Sequence, residues 1–142
     1  MRSVKQILDA KGREAWSVGP DDSVFTAMKL MAEKGIGALL ILEQDKLKGI
    51  VTERDYARKV ILQGKSSKDT PVRSIMSTNV LCALPTQTVE ECMALVTENR
   101  VRHLPVVEDG RVDGIVSIGD LVKAVIADQQ FIIEQLEHYI TG

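Results

Sequence analysis

Two seven-residue segments carry the residue types best suited to chemistry. Gly49-Ile50-Val51-Thr52-Glu53-Arg54-Asp55 and Gly114-Ile115-Val116-Ser117-Ile118-Gly119-Asp120 both read Gly-Ile-Val, then a hydroxyl residue, two variable positions and an aspartate. The hydroxyl residue ends a strand-like run, and three residues later a carboxylate opens a helix-like one. A helix start offers free backbone N–H groups and the positive end of the dipole to an anion. The combination suits a nucleotide: the carboxylate can accept hydrogen bonds from both ribose hydroxyls, while the Thr or Ser hydroxyl and the helix start face a phosphate. The plainer alternative makes Asp55 and Asp120 N-caps, worth about 1 kcal/mol each, with Thr52 and Ser117 merely finishing strands. A cap requires neither the glycine nor the spaced hydroxyl, so finding all of them twice favours a ligand site. Between Thr52 and Arg73 six cations (Arg54, Arg58, Lys59, Lys65, Lys68, Arg73) stand against three anions. Arg54 and Arg58 are one turn apart and can reach phosphates; Lys59, Lys65 and Lys68 read as a solvated face.

The two segments belong to an internal repeat. At an offset of 65 residues, positions 20–61 match the second copy at 13 of 42 positions without a gap, Pro20 falling on Pro85 and Val60-Ile61 on Val125-Ile126. Periodicity changes in the same order within each copy. Val24, Ala27, Met28 and Met31 recur at helical spacing, as do Val89, Cys92, Met93 and Val96. Thr88 and Glu91 have capping-box spacing, and Asp21 and Asp22 precede the first helix as candidate caps. Next come β-rich runs, Ala38–Leu42 and His103–Val107, each followed by a short polar turn and Gly-Ile-Val, which predicts antiparallel hairpins. Preceding strands are expected at 15–18 and 80–83, and second helices near Asp55 and Asp120, the latter continuing as a long helix over about 121–140.

The predicted fold class is therefore α+β, with α/β-like order: two β-α-β-β-α repeats related by a pseudo-twofold and packed sheet to sheet. Repeat one covers about 10–64, a polar linker about 64–74, and repeat two about 75–128. Leu121, Val125, Ile132, Ile133, Leu136 and Ile140 form a stripe on the last helix that calls for a partner.

Several function classes find no support. The net charge is −2, from 18 Lys and Arg against 20 Asp and Glu, so no basic field favours nucleic acid. The only histidines are His103 and His138, with no triad spacing. His103, after Arg102 at a strand start, reads as either lining a cleft or a satisfied structural side chain; His138 sits where it supports a helix dipole. No HExxH, paired CxxC or EF-hand loop occurs, so no metal is expected, and Gly35-Ile36-Gly37 follows a helix instead of forming a dinucleotide fingerprint. Cys82 and Cys92, ten residues apart, read as buried thiols. The N-terminal residues lack a secretory apolar stretch, and the longest aliphatic run, 38–42, is far short of the ~20 residues that span a bilayer. A soluble cytoplasmic protein, neither membrane-bound nor an enzyme, is the expectation.

The ungapped pair, with Gly-Ile-Val-Thr-x-x-Asp at 49–55, His103-Leu104-Pro105-Val106-Val107, and Gly-Ile-Val-Ser-x-x-Asp at 114–120, resembles a tandem pair of CBS domains (a Bateman module) over nearly the whole chain. Thr52-Glu53-Arg54-Asp55-Tyr56-Ala57-Arg58-Lys59 and Arg102 to Val107 are similar to small stand-alone bacterial members. The resemblance implies a regulatory, signal-transducing module binding adenosine-containing ligands (AMP, ADP, ATP, NAD(H) or S-adenosylmethionine) in clefts between the repeats. It implies ribose held by Asp55 and Asp120, with Thr52 and Ser117 by the phosphate. It further implies that Met76, Leu81, Val101 and Arg102 serve the Asp55 site. Lys11, Trp16, Ile36, Gly37 and Ala38 serve the Asp120 site, with Arg102 facing its phosphate. A homodimer of such pairs and a separate protein effector are the implied partners; the alternative is a structural or interaction dimer with vestigial nucleotide clefts.

Overall fold

The computed structural model describes residues 2–141. Its elements are helix α1 (Val4–Lys11), strand β1 (Ser17–Val18), α2 (Val24–Lys34), β2 (Ala38–Glu43), β3 (Lys46–Thr52), α3 (Glu53–Tyr56), α4 (Val89–Asn99), β4 (His103–Glu108), β5 (Arg111–Ser117) and α5 (Ile118–Thr141). A π-helical stretch, Ala57–Ile61, continues α3, and a 3-10 turn covers Val72–Ser74. Among the described residues no helix is long and apolar enough to cross a membrane.

The chain forms two compact units whose borders cut across the sequence repeat. One holds residues 15–81 and 109–112; the other holds residues up to 14, 82–108 and 113 onward. The segment before the first copy thus packs in the unit of the second copy, and the segment after the linker packs in the unit of the first.

In the unit of the first copy, β1 runs parallel to β2 and β2 pairs antiparallel with β3, in the order β1-β2-β3. Gln44 and Asp45 both take positive φ, the two-residue turn whose twist suits a hairpin. The α2 stripe buries Val24, Ala27 and Met31 against Val18, Leu39, Ile41 and Val51, and Val60, Val72 and Ile75 complete that core. The cap of α2 is Ser23, whose hydroxyl accepts from Thr26 N–H at 3.0 Å, rather than Asp21 or Asp22. Ser23 is the offset-65 equivalent of Thr88, which does form the expected box with Glu91. Asp22 instead accepts from Gly19 N–H, and Asp21 pairs with Arg73.

In the other unit, β4 and β5 form a two-stranded sheet, with Asp109 and Gly110 at the positive-φ turn. The strand expected at 80–83 is reduced to one parallel bridge between Ala83 and Val106. Ala83 N–H donates to Pro105 O and Val107 N–H to Ala83 O, both at 2.9 Å. Lengthening the ladder in either direction needs an N–H from Pro85 or from Pro105, and proline has none. Leu40, which stands where Pro105 stands in the second copy, does donate, to Trp16 O at 3.1 Å. Helix α1, absent from the sequence expectation, begins on a Ser3–Gln6 capping box and buries Val4, Ile7 and Leu8.

Helix α5 starts at Ile118, two residues before Asp120, near which its opening was expected. Leu121 and Ala124 face the interior of its unit and Val125 is half-buried. The predicted stripe is therefore split. Its first two members fold back on their own unit, whereas Ile132, Ile133, Leu136 and Ile140 are exposed.

Candidate functional site

Each Gly-Ile-Val-(Thr/Ser)-x-x-Asp segment lies at the end of a strand and the start of a helix, as its pattern requires. In the unit of the first copy, Thr52 caps α3. Its hydroxyl accepts from Asp55 N–H at 3.1 Å, and Asp55 Oδ2 accepts from Thr52 N–H at 3.0 Å and from its hydroxyl at 3.1 Å. The second carboxylate oxygen, Oδ1, meets Lys59 Nζ at 3.1 Å. Lys59 also donates to Ile75 O at 2.8 Å, so it is half-buried and tied in, not part of a solvated face. Its i,i+4 spacing from Asp55 is the sequence signal for that pair. The stretch that carries Lys59 is π-helical, a form that occurs often at functional sites.

The glycine of this segment has a packing reason. A Cβ on Gly49 would lie 2.8 Å from Ser77 O and from Met76 Sδ, because residues 76–77 cross directly beside β3, where Ile50 and Ser77 exchange backbone hydrogen bonds. Met76 is thereby held half-buried beneath the motif strand, and Leu81 lies half-buried in the same unit. Arg54 and Arg58 are exposed on the helix that Thr52 caps.

Beside the start of α3 lies a recess of about 310 Å³ lined by Met28, Met31, Ala32, Gly35, Ile36, Gly37 and Glu53. Gly37 O accepts from Glu53 N–H at 3.1 Å, which ties the entry of β2 to the helix start. Ile36 and Gly37 were expected at the Asp120 site; of the other lining residues, Met28 and Met31 read from the sequence as part of the core stripe of α2. Ala38 is buried. Trp16 is 38% exposed, and Lys34 Nζ stands 4.1 Å from its ring centre, a cation–π contact.

In the other unit, Ser117 N–H donates to Asp120 Oδ2 at 2.8 Å, and Ser117 Oγ accepts from Asp120 N–H at 3.1 Å. Lys11 Nζ, at the end of α1, reaches the same Oδ2 at 2.7 Å and Ile115 O at 2.9 Å. These bonds fall on Oδ2, so that Oδ1 accepts none among the described residues. Burial pushes the Asp120 carboxyl upward, but the Lys11 ammonium and the Ser117 N–H and hydroxyl outweigh it and hold the group below its ordinary value. The close approach of α1 again depends on a motif glycine: a Cβ on Gly114 would lie 2.9 Å from Leu8 Cδ2. Ile118 N–H donates to Arg102 O at 2.9 Å, repeating the Gly37–Glu53 bond at the offset of 65.

Val101, Arg102 and His103 belong to the unit that contains Asp120, with Arg102 exposed and the other two half-buried. Trp16, Ile36, Gly37 and Ala38 belong to the unit that contains Asp55. Among the predicted site residues, the structure brings together Thr52 with Asp55, and Lys11 with Ser117 and Asp120. The thiols are unsuited to nucleophilic work: burial raises Cys82, and burial together with Glu91 pushes Cys92 up to about 11. No group of three or more metal-ligating side chains occurs among the described residues.

Comparison with known proteins bears on the family and the fold. The CBS domain family profile matches residues 4–61 and 72–127. The chain is 40% identical, over 99% of its length and 72% of the relative's, to the mitochondrial CBS domain-containing protein CBSX3 of Arabidopsis thaliana. It is similar to the structure of a putative signal-transduction protein with CBS domains from Burkholderia ambifaria, with 58% identity and a TM-score of 0.86, covering 89% of this chain and 96% of that one. The CBS domain pair of protein MJ0100, solved in complex with 5′-methylthioadenosine and S-adenosyl-L-methionine, is 28% identical with a TM-score of 0.80, covering 90% and 98%. The repeated motif, the fold and these matches together place this chain in the CBS-domain family, with two CBS domains in tandem.

Proposed function

We propose that this chain is a regulatory module that binds an adenosine-containing nucleotide of the AMP, ADP, ATP or NAD(H) class at its two aspartate motifs. The observation that carries this reading is the repeated hydroxyl-x-x-carboxylate at a helix start, with both aspartates half-buried at 120 and 55 and both ordered by the hydroxyl residue's own N–H. In this reading Asp55 and Asp120 accept from the ribose hydroxyls. Thr52 and Ser117, with the N–H groups of their helices, face phosphate, and Arg54 and Arg58 supply charge on the first-copy side. The adenosine compounds bound by the CBS pair of MJ0100 support the ligand class. The role is sensing, not turnover: ligand shifts the protein between states by its preference for one of them, and a separate protein effector reads the result.

The two carboxylates already hold lysines, which favours one competing reading, an interaction protein whose nucleotide sites stay empty. Thermal unfolding of verified ligand-free protein with AMP, ADP, ATP, NAD, NADH, S-adenosylmethionine and GTP separates the two. A ligand at 100 times its dissociation constant adds about 2.7 kcal/mol, a rise on the order of 10 °C for a chain of this size. Such a rise with adenosine compounds, absent with GTP and lost in Asp55→Ala with Asp120→Ala, is the expected result. No rise with any of them refutes the proposal in favour of the empty-site reading.

A further inference from the structure

Helix α5 carries an apolar seam that nothing in its own unit covers. Val122, Ile126, Gln129, Ile133, Leu136 and Ile140 follow one another at alternating spacings of four and three residues, the heptad spacing of a coiled coil, with isoleucine at each a position and Val, Gln and Leu at d. The five apolar members are exposed by 41%, 49%, 53%, 57% and 80% in that order, and every residue from 129 to 140 is exposed. The matched CBS domains end at residue 127, so four of the six seam positions lie beyond them. The opposite face of the first turns, with Leu121 and Ala124, is already spent on the unit's interior.

We propose that this seam pairs antiparallel with the same seam of a second copy of the chain. The charges select the occupant and the direction. Placing Ile126 opposite the partner's Leu136 also sets Val122 against Ile140 and Gln129 against Ile133. In that register Lys123 flanks the partner's Glu137 at both ends, and Gln130 meets its own copy at the axis beside the Gln129 amides. Shifting by a heptad in either direction shortens the overlap and separates Lys123 from Glu137. A parallel pair would set Lys123 beside Ile118 and Glu137 beside Ile132, so that neither meets an opposite charge across the pair. Beyond Lys123 the helix carries Asp128, Glu134 and Glu137 and no Lys or Arg, the wrong sign for an anionic membrane surface. This pairing stands apart from the nucleotide reading, since no seam residue belongs to either aspartate motif.

Site-specific crosslinking tests the pairing on the full chain. Chains carrying Val122→Cys, mixed with chains carrying Ile140→Cys and oxidised, are expected to give disulfide-linked dimers above the background that Cys82 and Cys92 give in the unsubstituted protein. Either variant alone should not, because in an antiparallel pair identical positions at the two ends lie about 27 Å apart along the axis. Ile133→Glu, at an exposed position, is expected to raise the dissociation constant for self-association at least tenfold, with the unfolding midpoint unchanged at a protein concentration where both proteins are monomers. Lys123→Glu should weaken it less, and adding Glu137→Lys should restore it. Crosslinking of like with like, a monomeric sedimentation mass at 100 micromolar, or unchanged association in Ile133→Glu each overturns the proposal, the monomer assigning the seam to a different partner. Nucleotide-induced thermal shifts, measured on the same samples, report separately on the binding reading.

Discussion

Asp55 and Asp120 sit in the same motif and meet the same hydroxyl cap, yet their lysines come from different distances. Lys59 lies one turn along from Asp55 on the same helix, whereas Lys11 reaches Asp120 from α1, 109 residues away in sequence. A ligand that takes the place of Lys59 disturbs one helix and its bond to Ile75 O. A ligand that takes the place of Lys11 loosens the docking of α1. Equivalent chemistry is therefore coupled to local structure in one copy and to a terminal element in the other, and that difference is where the two sites are expected to part in behaviour.

The motif glycines offer the largest test of this comparison. Gly49→Ala drives a Cβ into the backbone oxygen of Ser77, which can move only with its strand bridge, so a loss of about 2–3 kcal/mol is expected in denaturant unfolding. Gly114→Ala meets the end of the buried Leu8 side chain rather than a backbone oxygen but must also hold a φ of 159°, which side chains rarely adopt, and the expected loss is about 1–2 kcal/mol. Equal losses would mean that α1 is held as rigidly as the 76–77 crossing.

Smaller, and more telling about coupling, is the pair Lys11→Met and Lys59→Met. Both lysines are more than a third exposed, so solvent screens them, and about 1 kcal/mol for Lys11 and about 0.5 kcal/mol for Lys59 are the expected losses at neutral pH. The pH dependence sharpens the contrast. Because the folded-state pKa of Asp120 lies below its unfolded value, its carboxylate contributes stability that is fully present above the unfolded value, about pH 4, and is lost as pH falls through the lower folded value. Lys11→Met should flatten that acid limb in melts taken between about pH 2.5 and 6. An unchanged limb would show that Ser117 alone holds the carboxylate down.

The ends of α2 and α4 test the repeat itself. Gly35 ends α2 in the left-handed region at φ 64°, and Arg100 ends α4 there at φ 54°. Arg100→Gly should raise stability by up to about 1 kcal/mol and Gly35→Ala lower it by a similar amount, read from urea midpoints. The smallest effect is expected from Pro105→Ala. It restores the backbone donor that Leu40 has in the first copy, and the readout is a protected amide at residue 105 in hydrogen exchange, with stability changed by no more than about 0.5 kcal/mol.

Most local structure was legible without coordinates. The α2 and α4 stripes, the two hairpins with their short polar turns, the Thr88–Glu91 box and the hydroxyl-to-aspartate motifs all follow from interactions within a few residues. Two of the three misses share a cause, a partner distant in sequence. Asp21 and Asp22 were the candidate caps because Asp caps well, but Ser23 sits at the position that the repeat register dictates. Residues 80–83 have strand composition, yet the ladder they need depends on Pro105, which lies far along the chain. Lys59 looked solvated because its second partner, Ile75 O, comes from the segment after the linker.

By itself the sequence determined the duplication, the order of elements in each copy and the pair of aspartate motifs, since periodicity, capping and turn chemistry are set by neighbours along the chain. Only the tertiary structure decided that α1 packs in the unit of the second copy and residues 75–81 in that of the first, that Gly49 and Gly114 are bare so that those segments can approach, and that the exposed seam of α5 continues past the CBS domains. Those outcomes depend on contacts between residues tens of positions apart, whose fit is a property of packed volume and backbone approach that no short window of sequence contains.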